Sequence, residues 1–152
     1  MLAYLPTFQR NAPAQTLKMG NISSMVKNSA PTVLVVDDEA LIRWSLSEAL
    51  GERGYLVTEA GNAKRAVQSI EEALEPFDVV LLDYRLPDSA DLRLLATIRQ
   101  LAPTSQVIMI TAHNSPELAR GAAALGAFRV ISKPFDMETL TALVNAANEA
   151  KD

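Results

Sequence analysis

Residues 32–39 read TVLVVDDE, an unbroken apolar and β-branched run from Thr32 to Val36 that ends abruptly in Asp37, Asp38 and Glu39. No polar residue alternates with the apolar ones, so the run reads as a strand buried on both faces. The acids then stand where that strand leaves the core. The same pattern recurs along the chain. Val79–Leu82 is followed by Asp83, Gln106–Ile110 by Thr111, and a short strand centred on Val130–Ile131 by Lys133 and Pro134. Tyr55–Ala60 is the remaining run, and its end offers only Ala60 and Gly61.

Between these strands the apolar period changes from continuous to helical. Leu41–Arg53 places Ile42, Leu46, Ala49 and Leu50 on one face, with Gly54 as its stop. Ala63–Leu74 repeats Ala63, Ala66, Val67, Ile70 and Leu74 at helical spacing. A third helix, reaching about Leu101, uses Leu92, Leu95 and Ile98. Glu117–Leu125 and Met137–Ala150 are the fourth and fifth helices. Fully buried strands joined by helices predict an α/β protein with a parallel sheet covered on both faces. Right-handed crossovers leave few topologies, and of these a five-stranded doubly wound (βα)5 sheet, flavodoxin-like, in strand order 2-1-3-4-5, is the one expected. The folded domain is expected over 31–152. Residues 1–30 show no sustained period and read as a flexible N-terminal extension, in which Met19 and Met25 are alternative starts to Met1.

Composition bounds the chemistry. The chain has 152 residues, one domain's worth, and 49% of them are hydrophobic, enough for a real core. Cysteine is absent, which excludes disulfides, thiolate metal sites and cysteine nucleophiles. His113 is the single histidine, so a histidine-based metal cluster is excluded too. Residues 1–30 carry Arg10, Lys18 and Lys27 and no acid, so all 18 acids lie in the remainder, against 11 of the 14 bases. An acidic domain is a poor match for a phosphate backbone, and no direct contact with nucleic acid is expected. No apolar run approaches the roughly 20 residues of a membrane helix. Met1–Arg10 lacks the basic start of a secretion signal, so a cytoplasmic protein without a membrane anchor is expected.

In such a sheet, function sits beyond the carboxyl ends of the strands. There the order of elements delivers Asp37, Asp38, Glu39, Asp83, Thr111 and Lys133. Singly, each has an ordinary explanation: a helix cap or turn for the aspartates, a strand end for Thr111, a surface position for Lys133. Together they differ. Three carboxylates at one edge repel one another unless a hard cation offsets them, and Mg²⁺ commonly uses one or two carboxylates with water and phosphate. Lys133 adds a positive charge and Thr111 a hydroxyl. The set reads as a phosphate site containing a carboxylate nucleophile.

The stretches VLVVDDEALIRWSL, FDVVLLDYRLP, VIMITAH and GAFRVISKPFD resemble the receiver domain of bacterial two-component response regulators, from about Thr32 to Ala150. The IRW…AL helix and GAF…KPFD resemble, in particular, receivers of nitrogen-regulation-type transcriptional activators. The resemblance implies that Asp83 is the phospho-acceptor. Asp38, Asp83 and the main-chain carbonyl of Arg85 would hold Mg²⁺ directly, and Asp37 through water. Lys133 would contact the phosphoryl group, Thr111 would swing towards it, and the Lys133–Pro134 bond would be cis. The implied partners are a sensor histidine kinase or histidine phosphotransfer protein, and a downstream protein or second copy on the face from the fourth helix to the fifth. The domain would act as a phosphoacceptor switch, not as an enzyme. Trp44 lies about 200° from Ile42 around its helix and is a candidate partner anchor.

Two departures from the family pattern stand out. Asp91 occupies a position where the family often has Gly, and Val130 one where it usually has Tyr or Phe, which weakens the expected aromatic relay. Three other functions compete. A magnesium-dependent aspartyl phosphohydrolase would place an acid two residues after its nucleophile, where this chain has Arg85. A flavin-binding protein would want a Ser/Thr/Gly phosphate loop after the first strand, not three acids. An unphosphorylated interaction module is opposed by the intact set of site residues. The chain ends directly after the fifth helix, and reads as a stand-alone receiver or a piece of a longer regulator.

Overall fold

The computed structural model describes residues 29–150. The extension expected over 1–30 and its alternative starts therefore lie outside the described residues, Ser29 and Ala30 aside. Over the remainder the order of elements is β1 (Thr32–Val36), α1 (Ala40–Glu52), β2 (Leu56–Ala60), α2 (Ala63–Glu72), β3 (Val79–Asp83), α3 (Arg93–Leu101), β4 (Gln106–Thr111), α4 (Pro116–Ala124), β5 (Arg129–Ser132) and α5 (Met137–Ala150). The five strands are parallel and lie in the order β2-β1-β3-β4-β5. This is the doubly wound sheet expected from the strand pattern.

The continuous apolar strands are explained by what covers them. Val33 and Val35 point to a cluster closed by Leu46 and Leu50 of α1 and Leu140, Val144 and Ala147 of α5. Leu34 and Val36 point the other way, to Ala66 of α2, Leu94, Leu95 and Ile98 of α3 and Ala122 of α4. Alternate residues of one strand thus fill two cores. Each fully buried Leu or Val contributes about 1.5–3 kcal/mol relative to exposure.

Element ends differ from the sequence reading in places that matter. Helix α2 ends at Glu72, because Ala73 turns to extended backbone at ψ 135°. Pro76 lies three residues on and disfavours helix in the residue before it. Leu74, expected on the apolar face of that helix, is in consequence wholly exposed. Strands β3 and β4 each run one residue further than expected, so that Asp83 pairs with Ile110 and Thr111 with Ser132. Both polar residues are therefore the last rungs of the ladder rather than parts of loops.

Helices α2 and α4 start on side-chain caps. Asn62 accepts from the Arg65 amide and Ser115 from that of Leu118, with Pro116 in the first turn of α4. Helix α2 has a second cap from far along the chain. The Asp88 carboxylate accepts from the amides of Ala63 (2.7 Å) and Lys64 (3.1 Å), and these bonds lower the pKa of Asp88 below the usual carboxylate value.

Helix α1 closes on Gly54, whose φ of +93° is in the left-handed region. A Cβ there would meet nothing within 4 Å, and the same holds for Gly51 inside α1. The two positions separate backbone strain from packing. Gly54→Ala is expected to destabilise by about 1 kcal/mol through the left-handed conformation. Gly51→Ala is expected to stabilise by about 0.5–1 kcal/mol by restricting the unfolded chain. Chemical denaturation of the two variants beside the wild type measures both signs.

Candidate functional site

The strand ends bring the acidic residues together. Asp37 follows the last paired residue of β1, and its amide still donates to the Ala60 carbonyl at 3.1 Å. Its side chain is turned inward: the residue is 1% exposed, and Oδ1 accepts from the Glu39 amide at 2.8 Å. Asp38, next in the chain, is exposed. Asp83 is 5% exposed, with Oδ1 accepting from the Arg85 amide at 3.2 Å. One carboxylate oxygen from each of Asp37, Asp38 and Asp83 falls within 4.8 Å of the others.

Lys133 answers this concentration of charge. Its Nζ lies 3.1 Å from Glu39 Oε1 and 3.2 Å from both Asp37 Oδ2 and Asp83 Oδ2. It hydrogen-bonds to Glu39 and Asp83. Towards Asp37 it is off the hydrogen-bonding direction, and Asp37 Oδ2 is the one buried side-chain polar atom among the described residues with no hydrogen bond. The lysine is aimed by its backbone, whose amide donates to the Thr111 carbonyl at 2.7 Å. The Lys133–Pro134 bond is cis. Thr111 is 3% exposed, and its hydroxyl oxygen accepts from the His113 amide at 3.2 Å. Above these groups lies a cleft of about 520 Å³ bordered by Asp38, Glu39, Arg85 and Thr111.

Burial acts on both sides of the charge balance. It pushes the Asp83 carboxyl above its ordinary value, and the neighbouring Asp37 adds to the shift; Lys133 and the Arg85 amide oppose it without cancelling it. For Lys133, burial favours the neutral amine, but the Glu39 hydrogen bond and the charges of Asp37 and Asp83 together outweigh it. The ammonium is held above its ordinary value. Three convergent carboxylates, one with an unsatisfied buried oxygen, form a donor set that fits a small divalent cation.

The structure thus brings together Asp37, Asp38, Asp83, Thr111 and Lys133, with Arg85 at the rim. Trp44 stands apart from this polar set on α1, 58% exposed, in keeping with its outward placement by helical angle. Asp91 uses its carboxylate on the first residue of α3, accepting from the Arg93 amide and side chain at 2.9 Å each. Val130 is half-buried and packs against the α2/α3 core. The sequence reading missed the part of Glu39, which was noted in the acidic run but not assigned a contact. It also missed Arg43, whose Nη1 donates to the Asp37 carbonyl at 2.6 Å. Adjacency to the acidic pair was the only sign of the first; nothing local marks the second.

A doubly wound sheet with convergent carboxylates and one lysine at its strand ends defines a receiver-type α/β module. Comparison with known proteins agrees: the model of the response regulator receiver domain matches residues 33–145, and the chain belongs to that family. The DNA-binding transcriptional regulator NtrC of Escherichia coli (strain K12) is 39% identical over 115 residues, covering 76% of this chain and 24% of that protein. The response regulator protein PilR of Pseudomonas aeruginosa is 41% identical over 119 residues, covering 78% and 26%. This chain therefore spans about a quarter of the length of those curated relatives. Among solved structures, a receiver domain protein from Methanospirillum hungatei superposes with TM-score 0.76 at 30% identity, covering 81% of this chain and 97% of its own. The beryllofluoride-activated NtrC4 receiver domain dimer gives 0.73 at 36% identity, covering 80% and 98%. The resemblance to nitrogen-regulation-type receivers is borne out. No helix among the described residues is long and apolar enough to cross a membrane.

The raised Asp83 pKa sets a stability test. The folded state binds a proton at Asp83 more tightly than the unfolded chain, so ionisation at neutral pH costs stability. Without divalent cations, Asp83→Asn is expected to melt above the wild type at pH 7. The gap should close as pH falls through the folded Asp83 pKa towards the ordinary carboxylate range, where the wild type also becomes neutral. Thermal melts across that range check the sign, and an Asn variant less stable at pH 7 would contradict it.

Proposed function

We propose that this receiver domain accepts a phosphoryl group on Asp83, in a Mg²⁺-dependent transfer from a histidine kinase or histidine phosphotransfer protein, and thereby switches its partner contacts. The observation that carries this reading is the convergence of Asp37, Asp38 and Asp83 on one point, with Lys133 held against the buried Asp83. Asp38, Asp83 and the Arg85 carbonyl would hold the ion directly, and Asp37 through water. When bound, the ion offsets the repulsion between carboxylate and phosphoryl oxygens.

The remaining steps belong to the chain's own residues. Lys133 favours the ionised form of Asp83, so no separate base is required. An Asp83 carboxylate oxygen forms the new P–O bond as the donor's P–N bond breaks. The electron pair of that bond stays with the imidazole nitrogen. Lys133 then has a phosphoryl oxygen to pair with in place of a carboxylate. The Thr111 hydroxyl oxygen accepts from the His113 amide, its one side-chain hydrogen bond among the described residues, and its proton can be donated to another phosphoryl oxygen. On this reading the domain is a cytoplasmic phosphoacceptor and switch, not a catalyst acting on a separate substrate. A second copy or a downstream protein would meet the α4–β5–α5 face.

Incubation with acetyl phosphate and Mg²⁺, followed by intact-mass spectrometry, is expected to show one added phosphoryl group. Asp83→Asn should abolish it, and Asp38→Ala should slow it through weaker ion binding. Lys133→Ala should impair the transfer or the response more than the binding of Mg²⁺. Undiminished labelling of Asp83→Asn would overturn the assignment.

Trp44 exposes a large aromatic surface on α1, the helix that follows the acidic pair, and is proposed as a docking anchor for the phosphodonor protein. Trp44→Ala should slow transfer from a histidine-phosphorylated donor while leaving acetyl phosphate labelling unchanged. Equal loss with both donors would instead indicate a folding defect.

A further inference from the structure

Past the end of β1 the chain carries its two adjacent carboxylates on one short segment. The β1–β3 ladder ends at the Val36–Leu82 pair, so the Asp37 carbonyl lies beyond the last paired residue. That carbonyl belongs to the peptide unit joining Asp37 to Asp38. Its orientation decides how both carboxylates are presented. Two handles on the segment are already accounted for: the Asp37 amide on Ala60, and Asp37 Oδ1 on the Glu39 amide. The third is Arg43.

Arg43 reaches back along the first turn of α1, with Nη1 on the Asp37 carbonyl at 2.6 Å. Its Nε donates to Glu59 Oε1 on β2 at 3.2 Å, and Ser47 fixes the other oxygen of Glu59 at 2.8 Å. The guanidinium is thus held at two points, and its side chain is 21% exposed. A Cβ at Gly61 would lie 3.2 Å from Nη1, so a side chain there would crowd the arm. Of its own side chains β2 brings no polar group to the convergent carboxylates. Its end is where the arginine crosses.

We propose that Arg43 is a positioning residue for the cation site, clamping the Asp37–Asp38 peptide unit to β2 through Glu59. The inference rests on the reading of Asp37, Asp38 and Asp83 as a Mg²⁺ site. Arg43 carries the same sign of charge as the ion, and this separates two possible roles. If its charge were what mattered, its removal would relieve repulsion and tighten Mg²⁺ binding. If it positions the carboxylates, its removal loosens them and weakens binding. Partners that orient metal ligands typically cost about tenfold or more in affinity when removed.

The test is a Mg²⁺ titration of the full chain followed by backbone amide chemical shifts, with no phosphodonor present. Arg43→Ala is expected to weaken Mg²⁺ binding by about tenfold. Arg43→Lys, which keeps the charge but offers one arm instead of a fork, should fall between Arg43→Ala and wild type. Unchanged or tighter binding in Arg43→Ala would overturn the proposal. Should Arg43→Ala fail to fold, Arg43→Lys decides alone: weaker than wild type supports the clamp, and equal binding overturns it. Asp38→Ala keeps the two hypotheses apart. If wild type shows no saturable shifts near Asp38 and Asp83, or Asp38→Ala titrates like wild type, the Mg²⁺ reading itself fails and the clamp with it.

Discussion

The ammonium of Lys133, 3.1–3.2 Å from the carboxylates of Asp37, Glu39 and Asp83, is the interaction on which the strand-end geometry depends. Its three contacts are not equivalent. The Glu39 side chain is 58% exposed, and an ion pair so open to water contributes little. Those of Asp37 and Asp83 are 2% and 6% exposed, where screening is weak and an uncompensated charge is expensive. Without the lysine, two buried carboxylates would face each other at the end of a largely apolar sheet core. Even with it, Asp83 remains harder to ionise than an exposed aspartate, and Asp37 keeps an oxygen without a hydrogen bond. The site is balanced in charge but not satisfied in hydrogen bonding.

Such a balance needs rigid supports, and the sheet supplies them. Asp83 and Thr111 are the terminal rungs of β3 and β4, so the ladder fixes the backbone from which their side chains leave. Lys133 reaches the same place because its amide is tied to the Thr111 carbonyl. Both faces of the sheet are closed by helices, so no strand can shift without disturbing two cores.

The connection leaving Asp83 is tightly built as well. Leu86 and Ser89 exchange two backbone hydrogen bonds, which leaves Pro87 and Asp88 at the tip of a short turn. Asp88 then caps α2, so this connection is anchored to a helix 25 residues earlier in the chain. Asp91, where the family often has glycine, caps the start of α3 instead. The substitution therefore exchanges backbone freedom for a charge-assisted bond at a helix N-terminus. Val130 is a stiff β-branched residue packed against the core on the far side of β5.

Much of this was legible in the chain itself. Continuous apolar runs such as Val33–Val36 and Val79–Leu82 announce strands buried on both faces, and their alternation with helical periods leaves few sheet topologies. Asp37, Asp38, Asp83, Thr111 and Lys133 could be placed at one edge because a parallel sheet sends every strand end the same way. Leu74 was misplaced because helical spacing persists past the point where Ala73 and Pro76 end the helix. What only the folded chain decided were contacts between residues distant in sequence: Glu39 with Lys133, Arg43 with Glu59, Asp88 with the start of α2. Periodicity records which face of an element is apolar, and so determines burial and order. It carries no record of which polar groups meet across two elements, because that depends on register and twist, which the packed cores set.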